Sequence, residues 1–88
     1  MARIIDGEEL NIIGENVKCA RKKMKLSQKA LAERLETEAV YICRGSISRI
    51  ESGERTVTDI EIAGLSKVLR VPISKLFPAG AGHEKPEN

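Results

Sequence analysis

Apolar residues recur three or four positions apart along most of this chain, which is the spacing of one face of an α-helix. The first stretch with this pattern predicts a helix over Ile13–Met24, with Val17 and Ala20 on its inner face. Lysines and arginines occupy most of the other positions. The pattern therefore predicts an amphipathic first helix that buries one side and exposes a basic one.

A second helix is predicted after Ser27, because serine is a favoured N-cap and a run of strong helix formers follows it. Leu31 and Leu35 form its inner face, and Ala32 leaves room for another helix to approach closely. The stretch CRGSISRIESG, Cys43–Gly53, follows as a short third helix.

A fourth helix is predicted from the sequence Thr58-Asp-Ile-Glu61, which matches the capping box of a helix N-terminus. It extends to about Leu69 and ends before Val71-Pro72, since proline disfavours helical backbone in the residue before it. Residues Ile73 to Phe77 give a short fifth helix. Five short helices with brief links predict an all-α domain, in which the second and third helices form a helix-turn-helix.

The flanking segments are predicted to lie outside this domain. Residues 1–11 are assigned to an N-terminal arm, residues 12–77 to the helical domain and residues 78–88 to a disordered tail, because the tail has no apolar periodicity.

The third helix has an unusual outer face. Ile47 and Ile50 define its buried side, so at 100° per residue the opposite side presents small residues and two arginines: Arg44, Gly45, Ser48, Arg49 and Ser52. A slim, positive helix fits the major groove of DNA, where arginine pairs with guanine. The same face is also compatible with a solvated surface that carries two arginines.

Charge favours the first interpretation. The net charge is only +2, but the span 14–55 holds ten Lys and Arg against six Asp and Glu, a local surplus of four. A local positive field suits a polyanionic partner.

The chain resembles the helix-turn-helix family of phage repressors and Xre-type bacterial regulators. The resemblance spans about 13–77 and rests on Arg21, the Leu26-Ser27-Gln28 triplet, Leu31-Ala32, the segment from Ile47 to Gly53 and the closing Leu76-Phe77. It implies a five-helix lambda-repressor-like domain and a DNA-binding transcriptional regulator that acts on double-stranded DNA at an operator, as a dimer.

The resemblance also implies residue roles. The positions that face DNA bases in the family correspond here to Arg44, Gly45, Ser48 and Arg49. Expected phosphate contacts are Gln28, Lys29, Ser46, Arg55 and Thr56. Phosphate contacts set the register of the protein on DNA, whereas base contacts set its sequence preference.

Two features depart from the family pattern. The connection from Glu36 to Ile42 is about five residues longer than the usual turn, so we expect the second helix to continue through Glu38 while Val40 and Ile42 fold back onto the core. Gly45 removes one base-reading side chain.

A second apolar stripe on the fourth helix predicts a dimer interface made of Ile60, Gly64, Val68 and Phe77. A glycine in a helix costs up to ~1 kcal/mol relative to alanine, which is explained if another backbone approaches Gly64. The alternative is that this stripe packs against another part of the same chain.

Other chemistry finds little support in the sequence. The only histidine, His83, lies in the tail, so neither a metal site nor a Ser/His/Asp or Cys/His set is indicated, and we expect no enzyme activity, cofactor or small-molecule ligand. Cys43, at the predicted N-cap of the third helix, is either a redox switch or a small residue in place of serine.

No stretch is long and apolar enough for a membrane span, which leads us to expect no membrane association and a cytoplasmic protein of bacterial or phage origin. The alternative function is a protein-interaction module, such as an antitoxin or antagonist, built on the same fold.

Overall fold

The computed structural model describes residues 9–79, and all regular structure in that range is helical. The elements are α1 (Gly14–Lys23), α2 (Gln28–Thr37), α3 (Arg44–Glu51), α4 (Asp59–Leu69) and a single 3₁₀ turn (Ile73–Leu76). The all-α fold predicted from the sequence is confirmed. The predicted short fifth helix is present as one 3₁₀ turn that ends one residue earlier than predicted, because Pro72 and Pro78 bracket a segment too short for a longer helix.

The predicted helix starts are also confirmed. Ser27 is the N-cap of α2 and its hydroxyl accepts a hydrogen bond from the Ala30 N–H at 3.0 Å. At α4, Thr58 and Glu61 form the complete reciprocal capping box. Just after the C-terminal end of α3, Gly53 adopts a φ of 81°, the left-handed conformation that glycine adopts without strain.

One aliphatic core joins all the elements. Its buried members come from every helix and from the α2–α3 connection: Ile13, Val17, Leu31, Leu35, Val40, Ile42, Ile47, Ile50, Leu65, Val68, Leu69 and Leu76. Isolated helices of 8 to 11 residues are marginal in water, so their stability comes from this shared apolar surface.

The long connection between α2 and α3 is part of the core rather than a free loop. Helix α2 ends at Thr37, Ala39 turns the chain with a φ of 61°, and Val40 and Ile42 then point inward. The expectation that both residues fold back is therefore confirmed, although α2 stops one residue before Glu38. Alternation along this strap, defined as residues 40–43, buries Val40 and Ile42 and exposes Tyr41 and Cys43.

The strap also explains Gly64. A Cβ added at Gly64 would lie 2.8 Å from a methyl group of Val40 and 3.4 Å from one of Leu35, so the close neighbour belongs to the same chain. Val68 is likewise buried in the core. The inference of a dimer interface from Gly64 and Val68 is therefore wrong, because the monomer already covers both residues. Ile60 remains 70% exposed and Phe77 is half-buried.

A buried ion pair connects α1 to the end of α3. Arg21 is only 8% exposed, and its guanidinium donates from Nε to Glu51 Oε2 at 2.6 Å and from Nη2 to Oε1 at 3.0 Å. Its Nη1 donates to the carbonyl of Leu26 at 2.7 Å. Gln28, at the start of α2, donates to Glu51 Oε1 at 3.1 Å. This cluster of Arg21, Glu51 and Gln28, called here the ion-pair cluster, joins α1, α2 and α3.

The segment before α1 is attached to the other side of the same helix end. The buried amide of Asn11 donates to the carbonyls of Ile50 and Arg55, at 3.0 and 2.8 Å, and accepts from the N–H groups of Ile13 and Gly14. A Cβ at Gly14 would collide with the carbonyl oxygen of Ile50. The start of α1 therefore packs directly against the backbone of α3.

These contacts change one predicted boundary. Leu10, assigned to the arm, donates its N–H to the carbonyl of Gly53 at 2.8 Å, and Asn11 is buried. The helical domain therefore begins at or before Leu10. Residues 1–8 of the predicted arm and residues 80–88 of the predicted tail, including His83, lie outside the described residues.

We expect Glu51→Ala to lower the free energy of unfolding by about 3–5 kcal/mol, because it leaves the Arg21 guanidinium buried without its partner. Urea denaturation measures the loss, and Glu51→Gln, which keeps one of the two accepting oxygens, is expected to lose less.

The matched control is Lys67→Ala, which breaks the exposed Lys67–Glu38 pair of 2.9 Å. Exposed pairs contribute at most ~1 kcal/mol, so this variant is expected to unfold nearly like the parent. Equal losses in Lys67→Ala and Glu51→Ala would contradict the importance given to the ion-pair cluster.

Candidate nucleic-acid interface

Helix α3 presents the face that its sequence predicts. Ile47 and Ile50 are each 1% exposed and hold the helix against the core. On the other side lie five exposed residues, called here the α3 face: Arg44, Gly45, Ser48, Arg49 and Ser52. All four residues predicted to face bases therefore lie on one exposed side of α3.

The α3 face adjoins α2 across a surface groove. Side chains from α2, the strap and the start of α3 line this groove, which has a volume of about 470 Å³, and Lys29 and Arg44 are among them. A residue predicted to contact phosphate and one predicted to contact bases therefore lie beside the same groove. Glu33 and Glu36 line it as well, one and two helical turns further along α2 than Lys29.

Gln28 and Ser46 occupy intermediate positions. Gln28 is half-buried and uses one of its two amide N–H groups on Glu51, which leaves the second N–H for another acceptor. The hydroxyl of Ser46 lies 3.4 Å both from the thiol of Cys43 and from Nη2 of Arg49, which donate to it. Ser46 therefore borders the α3 face and Gln28 contacts the last residue of α3, and the phosphate contacts of both stay predictions.

Arg55 has a different environment from the one predicted. Its guanidinium donates to both carboxylate oxygens of Glu61, at 2.9 and 3.0 Å, and also to the carbonyl of Thr56. This hydrogen bonding is the main cause that lowers the pKa of Glu61 and raises the pKa of Arg55. The two-bond pair with Glu61 gives Arg55 a role in the fold, and its predicted phosphate contact stays a prediction. Thr56 itself is exposed and stays a predicted contact.

Gly45 is the glycine for which the fold gives no reason. Among the glycines of residues 9–79, Gly14 and Gly64 lack room for a side chain, and Gly53 has a positive φ. A Cβ at Gly45 would meet nothing within 4 Å. Glycine weakens a helix relative to alanine, so packing within the chain does not account for a glycine at this position.

Cys43 is the N-cap of α3, as predicted, but its side chain caps no backbone N–H. The hydrogen bond with Ser46 holds the pKa of the exposed Cys43 thiol below its ordinary value. The backbone of Ser46 and Gly45 and the charge of Arg49 lower the pKa of this thiol further.

Three features were not predicted from the sequence: the pairing of Arg21 with Glu51, the hydrogen bonds of Asn11 and the exposure of Tyr41. The pairing of Arg21 with Glu51 joins residues 30 positions apart, and no local pattern reveals it. Asn11 could have been found, because asparagine three positions before Gly14 fits a helix-capping residue. Tyr41 could also have been found, since it lies between two residues predicted to be buried.

Two absences concern only the part of the chain that the structure describes. None of its helices is both long and apolar enough to cross a bilayer. Residues 9–79 also contain no group of three or more His, Cys, Asp or Glu side chains arranged to hold a metal ion.

Comparisons with known proteins agree with this geometry. The crystal structure of the restriction-modification controller protein C.AhdI from Aeromonas hydrophila is similar to this chain, with a TM-score of 0.67 and 26% sequence identity over 77% of this chain and 96% of that one. A comparison with curated protein sequences finds no match. The family model described as helix-turn-helix matches residues 17–76, well over half of the chain. The protein therefore belongs to the helix-turn-helix family of the Xre, Cro and C1 type, whose members are DNA-binding transcription regulators and not enzymes.

Proposed function

We propose that this protein recognises an operator in double-stranded DNA by inserting the α3 face into the major groove. The observation that carries the proposal is the α3 face itself, where two exposed arginines flank small residues on a helix anchored at Ile47 and Ile50. The leading surface is slim enough for a groove about 12 Å wide, and each arginine can pair with a guanine through two hydrogen bonds.

The contacts divide into two groups. Arg44, Ser48 and Arg49 read base edges, and Gly45 lets the helix backbone approach the groove. Arg55 forms an ion pair with Glu61. The phosphate contacts are therefore the other predicted residues: Gln28, Lys29, Ser46 and Thr56. Because Gln28 also donates to Glu51, the ion-pair cluster fixes the distance between this phosphate contact and α3.

The regulator is proposed to act as a homodimer. Ile60 is 70% exposed on α4 although it is a large apolar residue, and Phe77 is half-buried after the 3₁₀ turn. These two residues remain from the four predicted for the interface. A two-fold dimer would read an inverted repeat with half-sites about 34 Å apart. Similarity to a restriction-modification controller protein makes the promoters of such genes the first natural sites to test.

Selection from random duplex DNA with the purified full-length chain tests the proposal. We expect an inverted repeat to be enriched, with an affinity that falls with salt at a log–log slope of about −0.9 per neutralised phosphate. Absence of enrichment together with a slope near zero would reject DNA recognition and favour a protein partner for the same fold.

Arg44→Ala and Arg49→Ala are each expected to weaken binding to the selected operator by about 1–3 kcal/mol and to relax the preference at one base pair. Arg70→Ala, which removes an exposed arginine at the end of α4, is the matched control and should bind like the parent. Titrations on operator and random duplexes measure both effects. If each arginine variant loses equally on both duplexes, the arginines act only as charges near the DNA backbone.

Gly45→Ala separates folding from binding. The added methyl group meets no atom of the chain, so the variant is expected to gain up to ~1 kcal/mol of stability from helix propensity. Its binding to the operator should nevertheless weaken, because the methyl group lies between α3 and the groove. Thermal unfolding and operator titration measure the two quantities. Unchanged or tighter binding would show that DNA does not approach Gly45.

Ile60→Glu is expected to dissociate the dimer without unfolding the domain, because the side chain is exposed in the monomer. Sedimentation of parent and variant gives their oligomeric states, and circular dichroism checks the fold. The variant should bind one half-site about as well as the parent does and lose the added affinity for the full repeat. A parent that is monomeric at high concentration, or a variant that still dimerises, would place this interface elsewhere.

A further inference from the structure

Among the large hydrophobic residues of the range 9–79, Tyr41 is the most exposed to solvent, at 75%. None of the hydrogen bonds formed within that range involves its hydroxyl group. It contributes nothing to the core, so its presence on the strap has no explanation within the fold.

The strap holds Tyr41 outward. Val40 on one side packs between Leu35 and Gly64, and Ile42 on the other side is 5% exposed. The N–H of Val40 also donates to the carbonyl of Leu35 at 3.0 Å. With both neighbours buried in the core, the backbone at Tyr41 has little freedom, so its side chain leaves the surface from a defined point.

That place adjoins the proposed DNA interface. Tyr41 lines the same groove as Lys29 and Arg44, the first a predicted phosphate contact and the second on the α3 face. Only Ile42 and Cys43 separate it from the first residue of α3. An exposed tyrosine beside the N-terminal end of a helix that enters the major groove lies where the groove gives way to the sugar-phosphate backbone.

From this placement we propose that Tyr41 is a DNA-backbone contact: its hydroxyl donates a hydrogen bond to a phosphate oxygen and its ring packs against the adjoining deoxyribose. Tyrosine hydroxyls are among the groups that contact phosphates in protein–DNA complexes. The contact is neutral and reads no base, so it positions α3 in the groove without adding sequence preference. The inference rests on the proposed function, because it requires DNA to lie against the α3 face.

Tyr41→Phe tests the hydrogen bond, since it removes only an exposed oxygen and is expected to leave the thermal midpoint unchanged. Affinity for the operator and for random duplex should fall together, by about tenfold. The salt slope should stay the same, because no charge is lost. Lys29→Ala is the contrasting variant: it removes a cation, so its slope should become shallower by about 0.9.

A set of operators with single neutral methylphosphonate linkages then locates the contact. At one phosphate of each half-site, the parent should lose affinity while Tyr41→Phe loses little more, because the hydrogen bond is already absent. Unchanged affinity of both Tyr41→Phe and Tyr41→Ala on all duplexes would overturn the inference and leave Tyr41 for a protein partner. If selection with the parent enriches no DNA sequence, the proposed function is rejected, and the role of Tyr41 as a DNA contact is rejected with it.

Discussion

The buried pair between Arg21 and Glu51 is the interaction on which the arrangement of this protein depends. Helix α3 has only eight residues, too few to be stable alone, and its inner face supplies just two large apolar side chains. The guanidinium of Arg21 fixes the last residue of α3 to α1, and the amide of Gln28 fixes it to α2. Asn11 and Leu10 hold the neighbouring backbone from the opposite side. The orientation of α3 is therefore set by polar contacts concentrated at its C-terminal end.

This concentration explains the composition of the rest of the helix. The fold needs only Ile47, Ile50 and Glu51 from α3, so the remaining positions are free for recognition. The same reasoning applies at the N-terminal end, where Val40 and Ile42 carry the packing and Tyr41 and Cys43 are exposed. A connection that is longer than the family pattern is thus packed against the core, because every second residue of the strap is buried.

Features with a local cause could be predicted from the sequence. Helix spans follow from apolar periodicity, the starts of α2 and α4 from Ser27 and Thr58, and the end of α3 from Gly53. The exposed α3 face follows from placing Ile47 and Ile50 inward. Features that depend on contacts distant in sequence could not be predicted, such as Arg21 with Glu51 or Asn11 with Ile50. Gly64 was misinterpreted because its neighbour, Val40, lies on the strap. The spacing of apolar residues predicts helices but not the path of the strap.

Arg55 shows a different limit. Its phosphate contact was predicted from the family resemblance. Resemblance indicates which position a residue occupies in the fold, but not which side chains of this chain surround it. Glu61, six residues later, serves both the capping box and Arg55, so the acid that starts α4 also neutralises the arginine. The resemblance identified the fold, whereas the ion-pair partner of each cation could be found only in the structure.

The central claim is that DNA binds against α3 and the N-terminal end of α2. Titrating the isotopically labelled chain with the selected operator, and following its backbone amide resonances by NMR, tests this claim most directly. We predict the largest shifts at residues 41–49 and at Gln28 and Lys29, with little change along the part of α4 that packs on the core, Leu65 to Leu69. Shifts centred on α4 and Phe77, with the α3 amides unchanged, would contradict the account.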